Sequence, residues 1–191
     1  MSSEVLVTLE VEITSEEPQL VKSYGVEKIY EVETRCRTTK TKYGVVFLDF
    51  SNVLGWVPKF GESYLVSGKL RSVCSDNNKV VKVFLFVSSV QDSKGDYRNE
   101  VKIDCLELYE DATPRKSFND DSVDITNFRV VAESSGGKAY IIPCCTWNNL
   151  AKLSKNLKKG QKISGSGCIQ SRTSKIGRVY TEVVLSYLDI I

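Results

Sequence analysis

One turn-and-strand signature occurs twice in this chain, and a repeat constrains the fold before any single residue does. Gly61-Glu-Ser-Tyr-Leu-Val-Ser-Gly68-Lys-Leu70-Arg-Ser72 aligns with Gly160-Gln-Lys-Ile-Ser-Gly-Ser-Gly167-Cys-Ile169-Gln-Ser171. Both glycines, the aliphatic position and the serine share one offset. Upstream, Glu4-Val5-Leu6-Val7 matches Glu100-Val101-Lys102-Ile103, and downstream Lys79-Val80-Val81 meets Arg178-Val179-Tyr180. The 191 residues therefore divide into a first unit over 1–91, a polar linker over 92–98 and a second unit over 99–191.

Each unit reads as mostly strand. In the first, Val5, Val7, Leu9, Val11 and Ile13 alternate with polar residues, the period of a half-buried strand. Ile29–Cys36, Val45–Phe50, Tyr64–Leu70 and Val80–Val90 follow, rich in Val, Tyr and Phe and separated by turn residues. The second unit offers Val101–Leu108, Val123–Ala132, Ala139–Trp147, Ile163–Ile169 and Val179–Leu188. Five strands per unit with a gap between the third and fourth is the layout of the OB-fold, a five-stranded Greek-key barrel. The expected fold is all-β, two tandem OB barrels with at most one short helix each. In the second unit the gap Asn148–Leu157 reads as that helix, with Leu150, Leu153 and Leu157 on one face and Asn148 or Asn149 as its cap. In the first unit Gly55 and Pro58 leave room only for a short or broken one.

Several function classes drop out. The chain has no histidine, so Ser-His and Cys-His nucleophile pairs and the common His-containing zinc sites are excluded. Its six cysteines, Cys36, Cys74, Cys105, Cys144, Cys145 and Cys168, form no C-x-x-C pair and read as reduced structural thiols. The acids Glu110-Asp111, Asp120-Asp121 and Asp124 sit in a loop-like stretch and read as solvated charge. Ser134-Ser-Gly-Gly-Lys138 joins two strands and reads as a hairpin turn, not a phosphate-binding loop. No catalytic site, metal or cofactor is expected. No apolar run is long enough for a membrane helix, and the N-terminus lacks the features of a signal peptide. The expected location is cytoplasmic: on the nucleoid, or in a host cytoplasm if phage-encoded.

Charge is sorted along the chain. From Ser134 to Thr181 there are nine basic side chains and no acidic one, although the whole chain carries 26 Lys+Arg against 24 Asp+Glu. A segregated positive surface attracts polyanions, because phosphate neutralisation releases condensed counterions. Tyr140, Trp147 and Tyr180 lie inside the same stretch, and aromatics among cations suit stacking on bases. The first unit repeats this less strongly. Arg35, Arg37, Lys40 and Lys42 are acid-free and lead to Tyr43 and Phe47, while Arg71, Lys82, Phe84 and Phe86 mark its later strands. Its charge is balanced, with 13 basic and 13 acidic residues over 1–98 against 13 and 11 over 99–191. The second unit is therefore expected to bind more tightly, the first less so or as a dimerisation and spacing unit.

Three ordered segments of the second unit resemble bacterial and phage single-stranded-DNA-binding proteins. They are Ile141-Ile142-Pro143-Cys144-Cys145-Thr146-Trp147 with Leu157-Lys158-Lys159-Gly160 behind it, then Ile163–Arg172, then Arg178-Val179-Tyr180-Thr181-Glu182-Val183-Val184-Leu185. The resemblance covers Ala139–Leu188 well, Asn99–Glu133 loosely, and the first unit mainly through the repeat. It implies stacking aromatics on the third strand, at Tyr140 and Trp147; Trp147 equally suits core packing. Arg172 and Arg178 flank the loop between strands four and five, which lines the cleft in OB-folds, with Lys175 at its tip. Tyr180, Arg129 and Lys138 complete the candidate contacts of the second unit, and Arg35, Arg37, Tyr43, Arg71 and Lys82 those of the first. Lys152, Lys155 and Lys158 read as a solvated helix face. Unlike many family members, the hairpin Thr173–Gly177 has no aromatic, and Asp189-Ile190-Ile191 follows the last strand directly, so DNA binding carries over further than partner recruitment through an acidic tail.

The function implied is a non-enzymatic, largely sequence-independent single-stranded-DNA-binding protein acting in replication, recombination or repair. The alternative is a tandem OB module that docks on a replication or recombination protein and touches nucleic acid weakly; RNA binding is a nearer variant. Because simple family members assemble four OB units, the resemblance also implies a homodimer.

Overall fold

In the computed structural model, residues 3–16, 19–24, 27–37, 43–53, 55–74, 79–95, 97–117 and 120–191 are described, with the backbone alone at 19–24, 27–31, 37, 43 and 81. The first unit runs β1 (Val5–Ile13), β2 (Gln19–Tyr24), β3 (Glu27–Arg37), β4 (Tyr43–Asp49), β5 (Ser63–Cys74) and β6 (Val80–Asp92). The second runs β7 (Asn99–Leu108), β8 (Thr113–Lys116), β9 (Asp124–Glu133), β10 (Ala139–Trp147), α1 (Asn148–Ser154), β11 (Lys162–Thr173) and β12 (Val179–Ile190).

Each unit closes into a barrel. In the first, β1 pairs with β3, β3 with β4, β4 with β6 in parallel, β6 with β5, and β5 again with β1. The second repeats the circuit through β7, β9, β10, β12 and β11. This is the OB-fold, twice. Closure leaves few open edges to manage. The alternating residues of β1 fill the first barrel, with Val5, Leu9 and Ile13 at most 1% exposed. Ile103, Leu106, Ile142, Ile163 and Ile169 do the same in the second. Each such side chain contributes about 1.5–3 kcal/mol by leaving water.

The repeated glycines have matching physical roles. Gly61 and Gly160 take φ of 77° and 85° at the turns that start β5 and β11, a region where a Cβ is strained. Gly68 and Gly167 sit where the β5–β6 and β11–β12 registers slip by one residue. A Cβ there would run into the Phe86 carbonyl or the Val184 carbonyl. Such bulges sharpen strand curvature where a barrel must bend.

The barrels are joined by backbone. β1 pairs antiparallel with β7, Val7 opposite Val101, so β6-β5-β1-β7-β11-β12 form one continuous sheet. Beyond that seam β5 lies against β10, β4 against β11 and β6 against β12. The two units are thus related by an approximate twofold arrangement.

Three local expectations need correction. The sequence pattern missed β2 and β8, short strands that hairpin onto β3 and β9; β8 reads TPRK and is exposed throughout, so it has no apolar alternation to detect. The helix spans only Asn148–Ser154 and has no side-chain cap; Trp147 precedes it and Asn148 itself takes φ 54°. Its buried face is Ala151 and Ser154, while Leu153 is 68% exposed. The Ser154 hydroxyl is satisfied by Thr146 Oγ1 at 2.6 Å and the Leu150 carbonyl at 3.0 Å, so a polar residue faces the barrel there. The first unit fills the corresponding place with Trp56, edge-on to Phe50 at 5.5 Å and Tyr64 at 5.2 Å.

Candidate nucleic-acid interface

Alternation sends every second strand residue outward. On the first barrel the outward set of β4, β5 and β6 includes Phe47, Arg71, Lys82, Phe84 and Phe86, flanked by inward Leu48, Leu70, Val83, Leu85 and Val87. Cations lie on these rings. Lys82 Nζ stands 4.2 Å from the Phe47 centroid, and the Arg71 guanidinium 3.4 Å from that of Phe86. Cation–π contacts of this kind hold a long basic side chain against a ring.

The same arginine reaches the second unit. Arg71 lies 5.4 Å from the ring of Tyr140, which Lys138 approaches at 5.3 Å. Tyr140 is only 7% exposed and belongs to the apolar core, so the ring offered for stacking is packed between the units. Trp147 is half-buried at the end of β10. Its indole N–H is buried without closing a hydrogen bond, although it lies close enough to the Cys145 thiol to favour the thiolate slightly.

Tyr180 is different. It is 43% exposed, and two guanidiniums stand over it, Arg178 at 5.1 Å and Arg172 at 5.6 Å. The hairpin that presents them is set by its own turn: the Gly177 N–H donates to the Ser174 carbonyl at 2.9 Å, and the Arg178 N–H to Ser174 Oγ at 3.0 Å. Lys175 is exposed at its tip. Ser134–Lys138 builds the same turn between β9 and β10, with Gly137 donating to the Ser134 carbonyl at 2.9 Å. Each hairpin thereby places one basic residue, Lys138 or Arg178, at the start of the following strand.

The two units share a groove. A cavity of about 190 Å³ is lined by Lys82 and Val83 of β6 together with Pro143, Arg172, Tyr180 and Glu182 of the second barrel. Sequence reasoning placed Lys82, Arg172 and Tyr180 separately; the packing of β6 on β12 brings them together. It missed Glu182, which lies in the resembling last strand, and Arg115, which sits in a polar stretch without periodicity. Burial pushes the Glu182 carboxyl up, and the nearby Arg172 and Arg115 oppose that shift.

The remaining candidates lie elsewhere. Arg129 forms a two-pronged ion pair with Glu110 and stands 4.8 Å from the Tyr109 ring, so its charge is matched locally. Arg35 pairs with Glu12 at 2.6 Å and lines a separate cavity with Val45 and Phe60. The side chains of Arg37 and Tyr43 fall outside the described residues. The acid-free run does not stay acid-free in space: Lys158 pairs with Asp111 at 2.8 Å, and Lys152 approaches Asp124 at 3.9 Å.

Among the described residues, no group of three or more His, Cys, Asp or Glu side chains is placed to hold a metal. Burial pushes the Cys36 and Cys145 thiols up to about 12 and raises those of Cys144 and Cys168 as well. These four cysteines stay protonated at neutral pH and are not nucleophiles.

Barrel circuit, twinned bulges and shared groove define a tandem OB-fold protein. No protein-family model matches the chain, and no curated protein does. Its fold is similar to that of the wild-type single-stranded DNA binding protein from Thermus aquaticus, with a TM-score of 0.70 at 17% identity over 100% of this chain and 94% of that one. A deletion mutant of the same Thermus aquaticus protein gives 0.71 at 17% identity over 100% and 95%.

Proposed function

We propose that this chain binds single-stranded DNA, largely without sequence preference and without catalysing a reaction, and coats it during replication, recombination or repair in the cytoplasm. The observation that carries the proposal is the groove between the barrels. It places exposed Tyr180 under two guanidiniums and beside Lys82, whose partner ring is Phe47. An aromatic face supplies about 1–3 kcal/mol per stacked base, and cations along the path supply the salt-dependent term. The similarity of fold to a protein that bears single-stranded DNA binding in its name supports the same reading.

The test is a titration of the full chain with dT oligomers of about 15 and about 30 nucleotides at low and high salt. Expected are binding that weakens steeply with salt and an affinity that rises with length as both units engage one strand. Absence of binding at low salt overturns the proposal.

A homodimer is part of this reading. The continuous sheet exposes a shallow cavity of about 840 Å³ across the β1–β7 seam, bordered by small residues such as Ser67, Ser164 and Ser166. Leu6 and Tyr187, 46% and 59% exposed, stand on it. Lys102 and Asp104 lie side by side on it, and a twofold contact would set each against the other's counterpart. Sedimentation should give twice the chain mass for the wild type and the single-chain mass for Leu6→Asp. A monomeric wild type at micromolar concentration removes this part of the proposal.

A further inference from the structure

Among the described residues that line the inter-barrel groove, the one carboxylate is unexpected. A phosphate path gains nothing from an acid, and burial makes an ionised carboxylate costly to keep. Glu182 nevertheless lines the groove from β12, beside Tyr180 and Arg172. Register explains its direction: Gln170 of β11 lies opposite it on the outward face, while neighbouring Thr181 and Val183 point into the barrel and are buried.

We infer that Glu182, Arg172 and Tyr180 form a base-reading subsite that prefers cytosine to thymine or uracil. The inference rests on the proposed binding of a single strand in this groove. Tyr180 supplies the stacking face, since its exposed ring lies at the groove wall. With the base stacked there, its Watson–Crick edge meets one acceptor and one donor group. The edge of cytosine presents an N4 amino donor next to the N3 and O2 acceptors. A carboxylate accepts from N4, a pairing also used in groove readout, and a guanidinium donates to the acceptors beside it. Thymine and uracil put O4 where cytosine has its amino group, so two acceptors face each other and one remains unpaired. Leaving a buried polar group unpaired is how such sites reject the wrong base.

The neighbours fit this role. Arg172 is close enough to favour the Glu182 carboxylate, and so is Arg115 from β8; Cys145 of β10 offers its thiol to the same carboxylate. Lys82 faces the groove from β6. The two guanidiniums and the thiol favour the carboxylate form and oppose the upward push of burial. The first unit has no counterpart, because Phe84 stands opposite Arg71 on β6 in place of the Glu182–Gln170 pair on β12.

The experiment compares dC with dU oligomers of about 30 nucleotides on the full chain at neutral pH and fixed salt. The pair exchanges the N4 amino group for O4 without the thymine methyl. The wild type should bind dC about fivefold or more tightly, the lower end of discrimination by one good base contact. Glu182→Gln should bring the two affinities together, because an amide accepts from N4 and donates to O4 equally well. An oligomer of N4,N4-dimethylcytosine should fall to the dU level on the wild-type protein, a reading that needs no variant to fold. Equal affinity for dC and dU, or a preference unchanged in a folded Glu182→Gln, overturns the subsite while leaving strand binding intact. No binding to either oligomer at low salt removes the strand-binding proposal, and the subsite with it.

Discussion

The two barrels share a backbone circuit and differ on their outward faces. The first presents Phe47, Phe84 and Phe86 with Arg71 and Lys82 resting on the rings. The second presents Pro143 and Glu182 at the corresponding strands, keeps Cys145 of β10 buried, has β8 hairpinned onto β9, and ties Arg129 to Glu110. Among the described residues its exposed aromatic–cation cluster is Tyr180 with Arg172 and Arg178 at the β11–β12 hairpin. Sequence charge favours the second unit, yet the denser aromatic surface belongs to the first. A fold repeated twice conserves what the barrel needs, the bulge glycines and inward aliphatics, and frees the outward positions to diverge.

The largest effect expected concerns what the barrels share. Gly68→Val and Gly167→Val each drive side-chain atoms into a backbone carbonyl across a bulge. Each should cost about 3 kcal/mol or more of stability. Thermal melts read by circular dichroism check this, and a variant that melts like wild type would show that the bulge can relax. If both variants lose both units in one transition, the β1–β7 seam couples the barrels.

Next come the rings that distinguish the units. Tyr180→Ala and Phe47→Ala should each weaken strand binding by about 1–3 kcal/mol if each ring holds a base. A loss for Tyr180 alone would assign binding to the second unit, and a loss for Phe47 alone to the first. Smaller again is removal of single cations. Lys82→Ala and Arg172→Ala should each lower affinity and reduce the slope of log affinity against log salt by about one. An unchanged slope would mean that the residue does not meet a phosphate.

A pH effect separates Glu182 from the exposed acids. Its carboxyl is raised in the fold, chiefly by burial, so the protonated form is favoured by folding. The stability linked to it is present below the unfolded value near 4.5 and is lost as pH rises through the higher folded value. Relative to Glu182→Gln, the wild type should therefore lose melting temperature as pH rises above 4.5. Asp111 and Asp124 run the other way: hydrogen bonds from Lys158 and Lys116 hold them below 3.8, and their contribution is lost as pH falls through their lowered values. Flat difference melts between wild type and Glu182→Gln would contradict the burial of this carboxylate. The smallest effect belongs to Arg129→Ala, which breaks a partly exposed pair. It should cost under about 1 kcal/mol of stability and leave DNA affinity unchanged.

The fold was legible because its determinants are local and periodic. Alternation marked ten strands, and the paired glycines marked the repeat, since only a residue without a Cβ tolerates the turn at Gly160 and the bulge at Gly167. β8 stayed hidden because an exposed polar strand has no hydrophobic face to alternate, and β2, Gln-Leu-Val-Lys-Ser-Tyr, has no strict alternation either. Leu153 misled the helix reading because a two-turn helix is oriented by its neighbours, and a Thr146–Ser154 hydroxyl pair held the inward position.

The candidate site was legible only in its ingredients. The sequence alone determined that basic and aromatic residues alternate with core positions, and so which side chains share one side of each strand. Which side of a strand a ring takes depends on the register of the folded sheet. Tyr140 and Tyr180 look alike in sequence, but Tyr140 shares the buried side of β10 with Ile142 and Cys144, whereas Tyr180 shares the outward side of β12 with Glu182. Charge behaves the same way: Lys158 and Lys152 lie in an acid-free run yet meet Asp111, between β7 and β8, and Asp124 of β9. Linear order sets what each residue can do, and only the folded chain sets which residues act together, because electrostatic and stacking forces depend on distance through space.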